Sequence, residues 1–334
     1  MISKEAKLSE NVLDLTKVEQ KPTRAGYGEG LVLAGDENPN IVALCADLTE
    51  STQMHLFRNK YPKRFVEIGI GEQNLAAVAS GMAAMGKVPF ISSYAMFSPG
   101  RNWEQIRTTI CYNKQNVIIA GSHAGVSVGP DGATHQAVED MAIMRVLPNM
   151  IVLSPCDMIE ARKATIAAAR AGSPVYIRFH REKTPIITTN DTPFEIGKAQ
   201  IFFDSSSDGG KPDVAFIATG PLVHNALLAA DALTKLGKKV RVINSPSVKP
   251  LDEATILAAA VDSGALVTIE EHQIAGGIGS AIAELLTRHK PVPIEFVGVH
   301  NRFGESGTPD ELIELCGMGV SHIVEAAKAV MSRK

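Results

Sequence analysis

The chain has 334 residues, of which 45% are hydrophobic and 21% charged, with a formal net charge of −3. That balance belongs to a globular protein long enough for two α/β domains. It excludes the basic footprint of a nucleic-acid binder, and no run is long and apolar enough to span a membrane.

In chain order, residues 3–18 predict an amphipathic helix. The first twenty residues carry acids and no apolar h-region, so no secretory signal is expected and the protein reads as cytoplasmic. The runs IVALCA (41–46), VPFISS (88–93), NVIIAG (116–121), MIVLSP (150–155) and PVYIRF (174–179) predict buried strands. Helical patterns lie between them, over 72–85 and 157–171; Asp157 and Gly172 stand where the second would be capped. Residues 182–212 break the rhythm with Thr, Ser, Asp, Gly and Pro, and a domain boundary is expected there. A second series follows, with strands VAFIAT (214–219), VRVIN (240–244), ALVTIE (265–270) and IEFVGV (294–299). The alternation predicts α/β architecture, two doubly wound domains with helices on both faces of parallel sheets. The expected division is an N-terminal extension over 1–20, a first domain over 21–185, a linker over 186–212 and a second domain over 213–334.

Four cysteines, Cys45, Cys111, Cys156 and Cys316, form no C-x-x-C pair. Buried reduced thiols are expected rather than a zinc site or disulfide framework. The glycines of Gly26-Tyr27-Gly28-Glu29-Gly30 do not follow G-x-G-x-x-G or a strand, so they make no dinucleotide loop. Residues 275–279, AGGIG, open a helix after a strand and could receive an anion; a structural role is the expectation.

Four segments carry chemistry. In FVEIGIGEQN (65–74), a strand runs through glycines into a helix that starts at Glu72. Alone, such an acid would do no more than stabilise a helix dipole. In GSHAGVSVGPDGATHQ (121–136), His123, Asp131 and His135 lie on a glycine-rich connection after a strand, where α/β proteins bind ligands. Their irregular spacing, with no further ligand, argues against a metal site. Arg24, Asp47, Ser51 and Arg181 follow or flank strands of the same domain. Guanidinium forks, a serine and a histidine suit a sugar-phosphate dianion, although any one arginine alone would be an ordinary surface charge. Lastly, YAMFSPGRNW (94–103) carries Tyr94 and Phe97 after a strand; read alone, each serves as well as a core aromatic as a ligand-facing ring.

These segments resemble the C-terminal half of transketolase made as a separate subunit, and more distantly deoxyxylulose-phosphate synthase, over nearly all of the chain after Lys21. The resemblance implies a thiamine-diphosphate pyrimidine-binding domain followed by a transketolase C-terminal domain. It implies that Glu72 hydrogen-bonds the pyrimidine nitrogen N1′ and so activates the cofactor, that Phe97 or Tyr94 stacks on the pyrimidine, and that Asp47 lies near the thiazolium side. By the same resemblance Arg24, Ser51, Arg181 and His123 hold phosphate, Asp131 reads a sugar hydroxyl and His135 meets the reacting oxygens. The synthases usually carry an acid where His123 stands. The family's G-D-G motif, which holds the diphosphate through Mg²⁺, does not occur in the sequence; the only Gly-Asp pair is Gly35-Asp36. The resemblance therefore implies a second, N-terminal polypeptide that binds diphosphate and Mg²⁺, a cofactor shared across the interface, and an α₂β₂ assembly that transfers a two-carbon ketol unit between sugar phosphates. The competing readings are half of a pyruvate-using synthase or the β subunit of a 2-oxo-acid dehydrogenase, both opposed by His123 and the DGATHQ run, and a non-enzymatic scaffold relative.

Overall fold

The computed structural model describes residues 1–206 and 210–334. The first domain opens with β1 (Gln20–Pro22) and α1 (Thr23–Glu37), then β2 (Ile41–Cys45), α2 (His55–Lys60), β3 (Phe65–Glu67) and α3 (Glu72–Ala84). It continues through β4 (Val88–Tyr94), α4 (Trp103–Gln105, prolonged by a π turn Ile106–Cys111), β5 (Ile118–Ser122), α5 (Asp140–Arg145), β6 (Ile151–Leu153), α6 (Met158–Ala169), β7 (Val175–Arg178) and β8 (Lys183–Pro185). β1 and β8 pair antiparallel, which brings the two ends of the domain together. The second domain contains β9 (Gln200–Asp204), β10 (Val214–Ala218), α7 (Val223–Lys235), β11 (Val240–Asn244), β12 (Ser247–Lys249), α8 (Glu253–Ser263), β13 (Leu266–Gln273), α9 (Ile278–His289), β14 (Ile294–Val299), α10 (Pro309–Leu315) and α11 (Val320–Met331).

The first sheet runs β12-β6-β7-β5-β4-β2-β3 and the second β14-β13-β10-β11-β9. All of their pairings are parallel except those of β12 with β6 and β9 with β11. The strands are continuous apolar runs because helices cover both faces. One face of the first sheet packs α1, α2 and α6 around Tyr27, Leu31, Phe57, Phe90 and Phe179. The other face merges with the second domain in one apolar cluster that joins Leu44, Ile91 and Ile119 to Ile217, Ile243 and Ile282. Among the described residues no helix is long and apolar enough to cross a membrane.

Local chemistry explains the main elements. Asp157 caps α6 by accepting from the Glu160 amide at 2.8 Å, and its other oxygen accepts from Ile187 N at 2.8 Å. The glycines of α1 are a packing seam: a Cβ on Gly26 would stand 1.9 Å from Met158 O, and one on Gly30 2.8 Å from Arg162 O. The first turn of α9 receives its anion from within the chain. Glu270 Oε2 accepts from Ile278 N and Oε1 from Gly279 N, each at 2.9 Å, and burial lifts that carboxyl to about 7 against the pull of the two amides. The AGGIG run is thus structural.

Two sequence expectations are corrected. Residues 3–18 form a succession of turns, not an amphipathic helix. They lie along the second domain: Ser3 N donates to Phe202 O and Ser9 N to Ile187 O, both at 2.9 Å, and Ala6 and Val12 are buried in its core. Their apolar residues pack on the second domain, and the backbone divides its hydrogen bonds between local turns, such as Lys7 N to Lys4 O and Val18 N to Asp14 O, and that domain. Within the expected linker 186–212, β9 is an edge strand of the second sheet; residues 207–209, in its Ser/Asp/Gly run, lie outside the described residues. The second domain also lends a strand to the first, since β12 extends the first sheet beyond β6.

Candidate active site

Because β2, β3, β4, β5 and β7 run parallel, the loops that follow them open at one edge of the first sheet. Asp47 follows β2, Glu72 follows β3, Tyr94 ends β4, His123 follows β5 and Arg181 follows β7. This is the edge at which parallel sheets present ligands to catalytic groups.

Arg24, in the first turn of α1, donates from Nη1 to Ser51 O at 2.6 Å and from Nε to Arg181 O at 3.2 Å. Arg181 donates from Nη1 to Asp131 Oδ1 at 3.0 Å and to Val128 O at 3.2 Å. Four predicted residues, Arg24, Ser51, Asp131 and Arg181, are therefore one network. Burial, then the like charge of Arg181, pulls the Arg24 guanidinium below its ordinary value. Two cations held this close raise the local potential and favour an anion beside them.

The rings form a second group next to the first. Tyr94 stacks on His123, with centroids 3.8 Å apart and planes 20° apart. Phe97 lies nearly parallel to Tyr94 at 6.2 Å and meets the His135 ring edge-on at 5.4 Å. His123 is buried, has φ +55° and lies with Nδ1 2.8 Å from Ser122 Oγ. Burial, followed by the charges of Arg24, Arg181 and His135, pushes it down to about 3. It is a neutral imidazole at physiological pH, coupled to both groups.

Glu72 begins α3 and is buried, 5% exposed. Asn102 Nδ2 ties its carbonyl (2.9 Å) to Ser98 Oγ (3.1 Å), one residue beyond Phe97. The Glu72 carboxylate accepts no hydrogen bond among the described residues. Its oxygens are not fully enclosed, so an incoming donor can reach them, and a protonated ring nitrogen is such a donor. Asp47 is less connected: it is exposed, with φ +55°, and its amide donates to Glu67 Oε1 at 2.7 Å. Glu67 also accepts from Thr49 Oγ1 at 2.9 Å and Gly69 N at 3.0 Å, so it shapes the two turns that carry Asp47 and Glu72. Sequence reasoning does not find Glu67, Asn102 or Ser122. They hold backbone or ring positions through contacts that only the fold creates.

These residues fit the pyrimidine side of thiamine diphosphate, with an acid free of hydrogen bonds, a set of rings linked to its backbone through Asn102 and Ser98, and the arginine pair next to those rings. Among the described residues no group of three or more His, Cys, Asp or Glu could hold a metal ion.

Residues 19–186 match the transketolase pyrimidine-binding domain, and residues 206–323 match the transketolase C-terminal domain. A putative transketolase C-terminal section from Methanocaldococcus jannaschii is 39% identical over 317 residues, 94% of this chain and 98% of that protein. A 6-deoxy-6-sulfo-D-fructose transketolase subunit, SqwH, from Clostridium sp. (strain MSTE9) is 38% identical over 318 residues, 95% of this chain and 97% of that protein. A solved structure described as a split gene transketolase, inactive beta4 tetramer, superposes with a TM-score of 0.86 at 43% identity, covering 93% of this chain and 98% of that one. With both domains matched and relatives alike over nearly their whole length, the chain belongs to the transketolase family.

Proposed function

We propose that this chain is the C-terminal subunit of a split, thiamine-diphosphate-dependent transketolase in the cytoplasm, active in an α₂β₂ complex with an N-terminal subunit that binds the diphosphate and Mg²⁺. The observation that carries the reading is the Glu72 carboxylate, free of hydrogen bonds at the start of α3, on the sheet edge that also carries the aromatic and dibasic clusters. The cofactor, when bound, supplies the carbon nucleophile that takes up the two-carbon unit.

In this reading Glu72 shares a proton with the pyrimidine nitrogen N1′, in a site whose burial strengthens that bond. Phe97 is the stacking ring, because one face of Tyr94 is covered by His123. Arg24, Arg181 and the Ser51 hydroxyl grip the substrate phosphate, and Asp131, already held by Arg181, reads a sugar hydroxyl. Neutral His123 serves as a directional donor in the tautomer in which Nδ1 accepts from Ser122 Oγ, which leaves Nε2–H for a phosphate oxygen. His135 meets the reacting oxygens, and Asp47 lies toward the thiazolium side. The SqwH relative acts, by its name, on a sulfonated ketose. Sulfonate and phosphate are both tetrahedral oxyanions that two arginines can hold, so both belong in the substrate panel.

The test is reconstitution with the G-D-G-containing partner, thiamine diphosphate and Mg²⁺. Xylulose 5-phosphate with ribose 5-phosphate should turn over only when both chains are present, and Glu72→Ala should lower kcat at least ~100-fold without loss of assembly. Turnover of pyruvate in place of sugars would support the synthase or dehydrogenase reading, and silence with both, despite a stable complex, the scaffold.

A further inference from the structure

The loop between His123 and Asp131 is held from behind by the second domain. Glu271, on β13, is buried to 2% exposure. Its Oε1 accepts from Ser127 N at 2.7 Å, and its Oε2 lies 3.2 Å from His180 Nε2. His180 immediately precedes Arg181, and its amide donates to Thr23 Oγ1 at 2.7 Å, beside Arg24. Arg178 lies on the same side: Nη1 is 3.3 Å from His180 Nε2, Nη2 donates to Ala137 O at 3.1 Å, and Nε pairs with Asp140 at 2.8 Å. One carboxylate thus bridges the start of the loop and the strand end that carries Arg181, while Arg178 holds the loop's far end.

The approach is close enough to dictate sequence. Gly125 has φ +85°, and a Cβ there would stand 2.0 Å from Glu271 Oε1. The second domain also braces the rest of the loop. Gln136 Nε2 donates to Glu305 O at 2.9 Å, and a Cβ on Gly132 would stand 2.7 Å from Ser306 Oγ.

Resting on the transketolase reading, we infer that Glu271 is a positioning residue for sugar-phosphate binding: through Ser127 and His180 it sets where His123, Asp131 and Arg181 stand. The C-terminal domain then acts on the site directly, beyond assembly. Glu271 itself touches no substrate. Its effect should fall on the phosphate grip and leave the pyrimidine side, anchored on α3, unchanged.

Glu271→Gln keeps an oxygen for Ser127 N and removes the charge facing His180; Glu271→Ala removes both. In the reconstituted complex Glu271→Gln should raise KM for xylulose 5-phosphate about three- to tenfold with kcat within about twofold, and Glu271→Ala about tenfold further. The Kd for thiamine diphosphate should stay at the wild-type value. In the purified full chain, hydrogen exchange over residues 123–137 should speed up in both variants while β2 and β4 keep their protection. Unchanged exchange in that loop would overturn the inference, as would a rise in the cofactor Kd in step with KM together with uniform loss of protection, the mark of a merely structural residue. If the wild-type pair fails to turn over sugars, the transketolase reading falls, and the exchange measurement still decides whether Glu271 positions the loop.

Discussion

His123 shows how a site can set the chemistry of one group. Burial against Tyr94, and then the charges of Arg24, Arg181 and His135, push its pKa down to about 3 from an ordinary 6.5. The native state therefore binds fewer protons than the unfolded chain below pH 6.5. The stability that His123 contributes is present above that pH and is lost as the pH falls toward 3. Two outcomes follow. The His123 ring resonances should not shift between about pH 8 and about pH 5 in an NMR titration. His123→Asn should also reduce the drop in urea midpoint between about pH 7 and about pH 4. A ring that titrated near neutrality would mean a wetter, less positive site than these contacts describe.

The identity of His123 can be read in the sequence, but its ionisation state cannot, because Arg24, Arg181 and His135 come from separate segments that only the fold assembles. The same contrast holds among the secondary-structure elements. Predicted runs 41–46, 88–93, 214–219, 240–244 and 294–299 coincide with β2, β4, β10, β11 and β14, because long apolar β-branched stretches encode burial locally. β9 and β12 are not legible. β12 has only three residues, β9 lies in a stretch read as linker, and both are antiparallel edge strands placed by the strand beside them. The helix expected over 3–18 does not form for the converse reason: a helical spacing of apolar residues also suits a chain of turns laid on a core. The α1 glycines read as a negative, not a dinucleotide loop, and their purpose emerges only against α6. With the Met158 carbonyl 1.9 Å from where a methyl would stand, Gly26→Ala must push the helices apart. It should destabilise the fold by about 1–3 kcal/mol, read as a lowered Tm, while an alanine at Gly81, which meets nothing within 4 Å, should leave Tm unchanged or raise it.

The complete molecule displays apolar side chains that its own core does not use. Ile70, Met85, Tyr112 and Phe303 are each 80% or more exposed. Ile70 stands two residues before Glu72, on the turn that would face a cofactor shared with another chain. Ile70→Glu should weaken association with the N-terminal subunit about tenfold, measured by titration calorimetry, with the Tm of the isolated chain unchanged. An unchanged affinity would move the cofactor-bearing interface away from this turn. The similar structure described as an inactive beta4 tetramer concerns that protein.

The antiparallel ribbon between β12 and β6 also bears on how the chain is made. During translation β6 leaves the ribosome long before Ser247–Lys249, so the growing first sheet waits with a bare border that invites pairing with any passing strand. For the same reason a gene cut between the two domains would yield a first half whose sheet lacks its outermost rung. The two halves recognised by sequence therefore complete one another's structure, the second closing the border that the first leaves open.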